Sequence, residues 1–118
     1  MTEQEYMIYT DNLRKKTLNP SNPAFEHGVI GMAAEAGELL DIHKSQIDYG
    51  KPVDKEHVLE EMGDLFHYMT YIMKLYGWTV EDLITHNVNK LNKRYPNGYS
   101  DQDALARKDK CLENAPQD

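Results

Sequence analysis

Two pairs of acidic residues are the side chains in this sequence best suited to chemistry. One pair is Glu35 and Glu38, and the other is Glu61 and Asp64. Residues three apart in a helix lie on the same side, with Cβ atoms about 5–6 Å apart. Because acidic pairs are most often a solvated helix surface, the residues around these two pairs decide between a charged surface and a site.

The surroundings of both pairs favour a site. Glu61 falls within an apolar stripe at helical spacing, formed by Val58, Leu65, Tyr68, Ile72 and Leu75. A lone buried carboxylate is costly unless it is paired or bound to a metal. Gly37 and Gly63 lie inside the same predicted helices, where each glycine costs about 1 kcal/mol relative to alanine. We expect these glycines to allow close helix approach or to leave room for a ligand.

The four carboxylates predict a divalent-cation site. If the two helices pack antiparallel, the acids converge, and like charges at that distance repel unless they are compensated. Ligands that are all oxygen atoms suit Mg²⁺, with Mn²⁺ as a substitute.

A local basic face occurs further along the chain. Asn87, Lys90 and Arg94 follow one another at i, i+3 and i+7, and so share one side of a helix. Cations near a helix C-terminus are favourable in their own right, which is one explanation. The other is phosphate binding, in which Arg offers a planar fork and Lys a point charge.

The elements that must position these residues are helices, since no segment alternates apolar and polar residues for long. The fold class predicted is all-α, a four-helix bundle with antiparallel neighbours that forms a single domain over residues 1–100. Residues 101–118 are predicted to be a polar tail, with a short helix around 104–111 or a role as a lid. Breaker residues and caps place the four helices at about 2–17, 24–48, 54–76 and 79–95. Tyr, Met and Leu on more than one helix face favour a dimer.

Composition excludes several classes of partner. The 118 residues include 20 acidic and 13 basic side chains, for a net charge of -7. This balance argues against binding to nucleic acid or to an anionic membrane, both of which require basic surfaces. The single Cys111, an N-terminus without a signal-peptide pattern and the lack of an apolar run of about 20 residues together predict a cytoplasmic protein.

The ordered motifs resemble a known family. Residues 31–41 followed by 60–64 look like the E-x-x-E, spacer, E-x-x-D signature of the MazG-like nucleoside triphosphate pyrophosphohydrolases, with 22 residues between Glu38 and Glu61. Residues 90–100 are similar to the C-terminal K-x-x-x-R segment of that family. The resemblance covers about residues 24–100.

The resemblance implies a MazG-like four-helix bundle that assembles as a homodimer or homotetramer, with helices of more than one subunit around each site. It implies Mg²⁺-dependent cleavage of a nucleoside triphosphate to the monophosphate and pyrophosphate, for control of nucleotide pools or removal of non-standard nucleotides. The Mg²⁺ ligands and catalytic residues that it implies are Glu35, Glu38, Glu61 and Asp64. It also implies that Lys90 and Arg94 hold phosphates, with help from Asn87.

Some relatives carry an acid just before the first glutamate of the signature, where this chain has Ala34. We expect Glu35 or Glu38 to assist the activation of water instead. The candidates for selecting the base are Asn12, His27, Tyr68 and residues 95–107, although side chains of these types are more often core or surface.

Three alternatives remain open at this point. The first is a phosphoribosyl-nucleotide pyrophosphohydrolase with the same fold. The second is a di-iron carboxylate bundle, suggested by the spacing of Asp64 and His67, although that class requires a carboxylate-x-x-His pair on two separate helices. The third is a non-catalytic helical interaction module whose acids are surface charge.

Overall fold

The computed structural model describes residues 1–14 and 23–113 of the chain, and over these residues its regular elements are α-helices. The only β feature in those two ranges is an isolated bridge between Pro96 and Gly98. The predicted all-α fold class is therefore confirmed. The helices are α1 (Glu3–Leu13), α2 (Pro23–Tyr49), α3 (Lys55–Tyr76), α4 (Val80–Arg94), α5 (Asp101–Ala106) and α6 (Lys108–Glu113).

The helices form two compact units. The first unit spans residues 1–78, and in it α3 packs against both α1 and α2. The second unit begins at Thr79, and in it α4 is contacted by α5 and by α6. The first unit therefore holds the acidic pairs and the second holds the basic face. The domain boundary expected at residue 100 stays a prediction.

Local sequence signals start and end the helices as expected. Asp54 caps α3, its side chain accepting a hydrogen bond from the Glu56 amide at 3.0 Å. Thr79 caps α4 in a reciprocal box with Asp82. Gly77 ends α3 with φ 72°, a left-handed conformation that a residue without a Cβ adopts at little cost. These caps fix which turns of α3 and α4 carry the candidate site residues.

The ends of the chain differ from the expected helices. The first helix ends at Leu13 rather than near Thr17, because the Arg14 backbone is extended and its side chain turns back to Asp11 at 3.2 Å. Residues 15–17 lie outside the described part of the chain. The short helix expected around 104–111 is two helices, separated at Arg107, whose φ of 48° is left-handed.

The contact between α2 and α3 depends on two glycines that the sequence analysis did not single out. A Cβ on Gly31 would overlap the ring of Tyr68, and one on Gly28 would press on Ile72. These two contacts show that α2 and α3 run antiparallel. A Cβ on Gly37 or Gly63 would meet nothing within 4 Å. Close helix approach at Gly37 and Gly63 was therefore the wrong expectation, and the tight contact lies nearer the N-terminus of α2.

The interior of the first unit is small and partly polar. Tyr71 and Met73 are its buried hydrophobic residues among those described. Thr10 and Thr70 are each 1% exposed, and their hydroxyl oxygens lie 2.6 Å apart, which joins α1 to α3. Asp11 adds a surface link between the same helices by accepting a hydrogen bond from Lys74 at 3.1 Å.

No helix in the described ranges combines the length and the apolar character that crossing a bilayer requires.

Candidate metal centre and phosphate-binding face

Three of the four predicted metal ligands come together in the first unit. Glu35 on α2 and both Glu61 and Asp64 on α3 each offer a carboxylate oxygen, and these oxygens lie within 4.8 Å of one another. The antiparallel packing of α2 on α3 brings the two helices to this meeting point. Glu61 is buried, whereas Glu35 and Asp64 are partly exposed. The group therefore lies at the edge of the helix contact, open to a ligand on one side.

Neighbouring carboxyl groups raise the pKa of one member of this group. The pKa of Glu35 is raised to about 7, mainly because its carboxyl is hydrogen-bonded to Glu61. Burial and the negative charges of Asp64, Glu61 and Glu38 act in the same direction. A proton near neutral pH thus reduces a repulsion that a divalent cation would remove more completely. Because every donor is a carboxylate oxygen, the residues present fit Mg²⁺ or Mn²⁺.

Glu38 is not part of the three-carboxylate group. It lies one turn further along α2 and is exposed, although its charge contributes to the raised pKa of Glu35. The expected convergence of four acids is therefore seen for three. The role of Glu38 as a ligand stays a prediction.

The sequence analysis overlooked a histidine beside this group. The Nε2 atom of His57 lies 3.1 Å from Oε1 of Glu61, one turn away on α3. His57, Glu60 and Glu61 form a second set of side chains whose ligand atoms lie within 4.8 Å of one another. The i, i+4 spacing of His57 and Glu61 was the available signal. The buried Glu61 thus has neighbours on both sides, Glu35 from α2 and His57 from its own helix.

An aromatic pair joins α1 to α3. The ring of Tyr6 on α1 stacks on Phe66, with centroids 5.7 Å apart. The pKa of Tyr6 is raised, first by burial and then by the negative charge of Asp64, which shows that α1 reaches the edge of the group.

His67 is engaged elsewhere and does not complete a di-iron site. Its Nε2 atom lies 2.9 Å from the hydroxyl of Tyr71, and its ring stacks on Tyr68. In the described residues it belongs to neither set of candidate metal ligands.

The basic face lies on α4 in the second unit. Asn87 is exposed, whereas Lys90 and Arg94 are partly buried. The side chain of Arg94 is paired with Asp109 on α6, a residue that the sequence analysis left in the polar tail. The expected roles of Asn87, Lys90 and Arg94 in phosphate binding stay predictions.

Comparison with protein families narrows the alternatives for this arrangement. The family model described as the MazG nucleotide pyrophosphohydrolase domain matches residues 26–99. The chain belongs to the MazG family. The chain matched none of the curated proteins and none of the solved structures with which it was compared.

The MazG match covers the residues on which the resemblance was built. It includes both acidic pairs and the basic face on α4, and it ends before α5 and α6. Membership supports an enzyme that hydrolyses phosphoric anhydride bonds of nucleotides, and the carboxylate group is consistent with the metal dependence typical of the family. A di-iron protein and a non-catalytic module are correspondingly disfavoured.

The candidates for base selection in the MazG domain have different surroundings. Tyr68 packs over Gly31 and stacks on His67, which is the position of a core residue. Asn12 is exposed on α1. His27 has a buried Nε2 atom with no hydrogen-bond partner among the described residues. Residues 95–107 lie in the second unit. Their role in recognising a base remains a prediction.

Proposed function

We propose that this chain is a Mg²⁺-dependent nucleoside triphosphate pyrophosphohydrolase that converts an NTP or dNTP and water to the nucleoside monophosphate and pyrophosphate. The observation that carries the proposal is the meeting of Glu35, Glu61 and Asp64 from two antiparallel helices, with carboxylate oxygens within 4.8 Å of one another. Such a group is unfavourable alone and favourable around a divalent cation.

The residues of the first unit would hold the metal and prepare the water. Glu35, Glu61 and Asp64 are the proposed ligands, with Glu38 completing the set from the next turn of α2. A bound Mg²⁺ supplies acidification of water and neutralisation of phosphate charge. Glu35 or Glu38 would accept the proton of the attacking water, since Ala34 cannot. The water oxygen forms a bond to the α-phosphorus, and the bond from that phosphorus to the α–β bridging oxygen breaks.

The residues of α4 would orient the leaving pyrophosphate. Lys90 and Arg94 are cations one turn apart, and Asn87 offers an amide one turn before them. Their positive charge would offset the charge that develops on the leaving group.

A homo-oligomer is part of the proposal, as either a dimer or a tetramer of four-helix subunits. The face of α2 that points away from α3 carries an exposed apolar stripe at helical spacing, in which Val29, Leu40 and Ile47 are 44%, 66% and 66% exposed. Exposed apolar residues that share one helix face are typical of an interaction surface. A second copy of the chain would cover it and add helices around the site.

Product analysis tests the reaction. The chain is incubated with a panel of NTPs, dNTPs and phosphoribosyl-ATP in the presence of Mg²⁺ or Mn²⁺, and the products are identified by chromatography and ³¹P NMR. We expect equal amounts of nucleoside monophosphate and pyrophosphate from at least one nucleoside triphosphate. Release of orthophosphate, or no turnover with any nucleotide, contradicts the proposal. Turnover of phosphoribosyl-ATP alone favours the alternative substrate class.

A matched pair of variants connects the reaction to the carboxylate group. Glu61→Gln removes the central buried carboxylate, and we expect a loss of at least about a hundredfold in kcat, which corresponds to about 2.7 kcal/mol of transition-state stabilisation. Glu56→Gln removes an exposed carboxylate from the first turn of the same helix and should retain activity. Equal losses in the two variants would mean that the group is not the catalytic centre. Light scattering on the same samples should give the mass of a dimer or a tetramer.

A further inference from the structure

A buried carboxylate in the second unit has no part in the proposed reaction. The side chain of Asp109 on α6 is 3% exposed. Its two oxygens accept hydrogen bonds from Arg94, from Nε at 2.7 Å and from Nη2 at 3.2 Å. Paired, charge-assisted bonds of this geometry hold both partners in a fixed orientation. The partner that Asp109 fixes is the arginine expected to bind phosphate.

The pairing occupies only one edge of the guanidinium group. An arginine side chain offers five N–H donors in a planar fork. Asp109 takes the edge formed by Nε and Nη2, and Nη1 is not part of this pair. The side chain of Tyr95 is also hydrogen-bonded to Arg94, which raises the pKa of Arg94 after the larger effect of Asp109. The pair with Asp109 uses two of the five N–H donors and leaves donors on Nη1 and Nη2 for a further partner.

Asp109 also lies within the electrostatic field of the other cation on α4. The pKa of Asp109 is lowered, first by its hydrogen bond with Arg94 and, less strongly, by the charge of Lys90. The carboxylate thus faces the two cations expected to hold phosphate. Asp109 is thus placed like the buried residues that lie behind a binding site and orient the side chain that contacts the ligand, which here is Arg94.

The backbone between α5 and α6 brings Asp109 to this place. Arg107 has a left-handed φ of 48°. Its amide donates a hydrogen bond to the Asp103 carbonyl at 3.2 Å, and its carbonyl accepts one from the Lys110 amide at 2.9 Å. This turn ends one helix and starts the next at once, so that both contact α4. The contact of α6 with α4 is therefore part of a folded segment rather than of a loose tail.

We propose that Asp109 is a positioning residue for Arg94, which holds the Nε edge of the guanidinium so that its other end is presented to a substrate phosphate. The inference rests on the proposed function, in which Arg94 binds phosphate. It assigns to α6, beyond the matched residues 26–99, a part in substrate binding. The opposite arrangement, in which Asp109 competes with phosphate, would require the pair to break on binding.

Steady-state kinetics on four proteins separate positioning from a purely structural role. These are the wild-type chain, Asp109→Asn, Arg94→Gln and the double variant, each with the nucleotide that the wild type hydrolyses. We expect Asp109→Asn to raise KM about tenfold with kcat within about twofold, since one charge-assisted bond is lost. In the Arg94→Gln background the same change should have no further effect on KM. Asp109→Glu, which keeps the carboxylate, should recover part of the loss.

One control variant and two contrary results complete the kinetic test. Glu81→Gln removes an exposed carboxylate from the first turn of α4 and should leave KM unchanged. An unchanged or lower KM in Asp109→Asn, or an equal rise of KM with and without Arg94, overturns the inference. A wild-type chain that hydrolyses no nucleotide counts against the proposed function instead, and it leaves the next measurement as the test of Asp109.

NMR provides that measurement on the wild-type chain, and it also applies if Asp109→Asn does not fold. The ¹⁵N-labelled Nε–H of Arg94, assigned by its loss in Arg94→Gln, is followed while pyrophosphate and Mg²⁺ are added. We expect the Nε–H resonance to stay at its hydrogen-bonded position while the Nη resonances shift. Loss of the Nε–H hydrogen bond when pyrophosphate binds, or no response of any Arg94 resonance, overturns the inference.

Discussion

The raised pKa of Glu35 makes the stability of the metal-free chain depend on pH in a defined direction. The pKa of Glu35 is about 7 in the folded chain and 4.5 in its ordinary environment. Between these values the folded chain binds more protons than the unfolded chain, so its free energy of unfolding falls as pH rises. The stabilising contribution is complete below about pH 4.5 and is lost as pH passes through about 7.

The size of the effect follows from the same shift. A difference from 4.5 to about 7 corresponds to roughly 3 kcal/mol at 1.36 kcal/mol for each pKa unit. Because Glu35 is partly exposed, solvent screening reduces this to about 1–2 kcal/mol. For a chain of this length the loss lowers Tm by roughly 4–8 °C.

Thermal unfolding followed by circular dichroism in EDTA, from pH 5 to pH 8, measures this dependence. Glu35→Gln mimics the protonated side chain and cannot ionise, so its Tm should fall less over this range than that of the wild type. Excess Mg²⁺ should stabilise the wild type more at pH 8 than at pH 5, because binding requires the deprotonated ligand. Glu56→Gln is the control and should keep the wild-type slope. If Tm falls with pH by the same amount in the wild type and in Glu35→Gln, the raised pKa of Glu35 is refuted.

Two further predictions concern the packing of the first unit. Gly31→Ala should lower the free energy of unfolding by about 1–3 kcal/mol, since its Cβ overlaps Tyr68, whereas Gly37→Ala, in open space, should raise it by up to about 1 kcal/mol. Urea denaturation measures both, and equal effects would contradict the contact. Thr70→Val should cost about 1 kcal/mol by removing the contact between the two buried hydroxyls, while the Thr10 hydroxyl keeps its hydrogen bond to the Met7 carbonyl, and Thr10→Val should cost less in this background than in the wild type. An additive double variant in the same assay would show that the hydroxyls do not interact.

The sequence predicted the features that depend on local chemistry. Caps such as Asp54 and Thr79 act on backbone groups within three residues, so they can be identified without knowledge of the fold. The meeting of Glu35 and Glu61 could be expected because each belongs to an acidic pair at i, i+3. The short connection between their two helices also predicts that these helices pack antiparallel. The match to the MazG domain then supported the interpretation of the acidic pairs and the basic face, in that order, as the signature of the family.

The features that the sequence did not predict depend on contacts between distant residues. Gly28 and Gly31 differ from Gly37 only in what α3 places opposite them, and spacing along α2 carries no information about that. Asp109 is one of several acids in a polar segment, and its burial becomes apparent only when α6 packs on α4. His57 is a different case, because its i, i+4 spacing with Glu61 is visible in the sequence, but the sequence analysis assigned it no ligand role.

The close approach at Gly31 has a consequence for the choice of ion. The separation of α2 from α3 is set where Gly31 meets Tyr68, and Glu35 lies one turn further along the same face of α2. That separation limits how far Glu35 can stand from Glu61 and Asp64. Mg²⁺ requires oxygen atoms at about 2.0–2.1 Å, whereas Ca²⁺ accepts them at about 2.3–2.6 Å. By setting the separation of α2 from α3, Gly31 sets one dimension of the candidate site, and the ion that suits the site depends on that dimension.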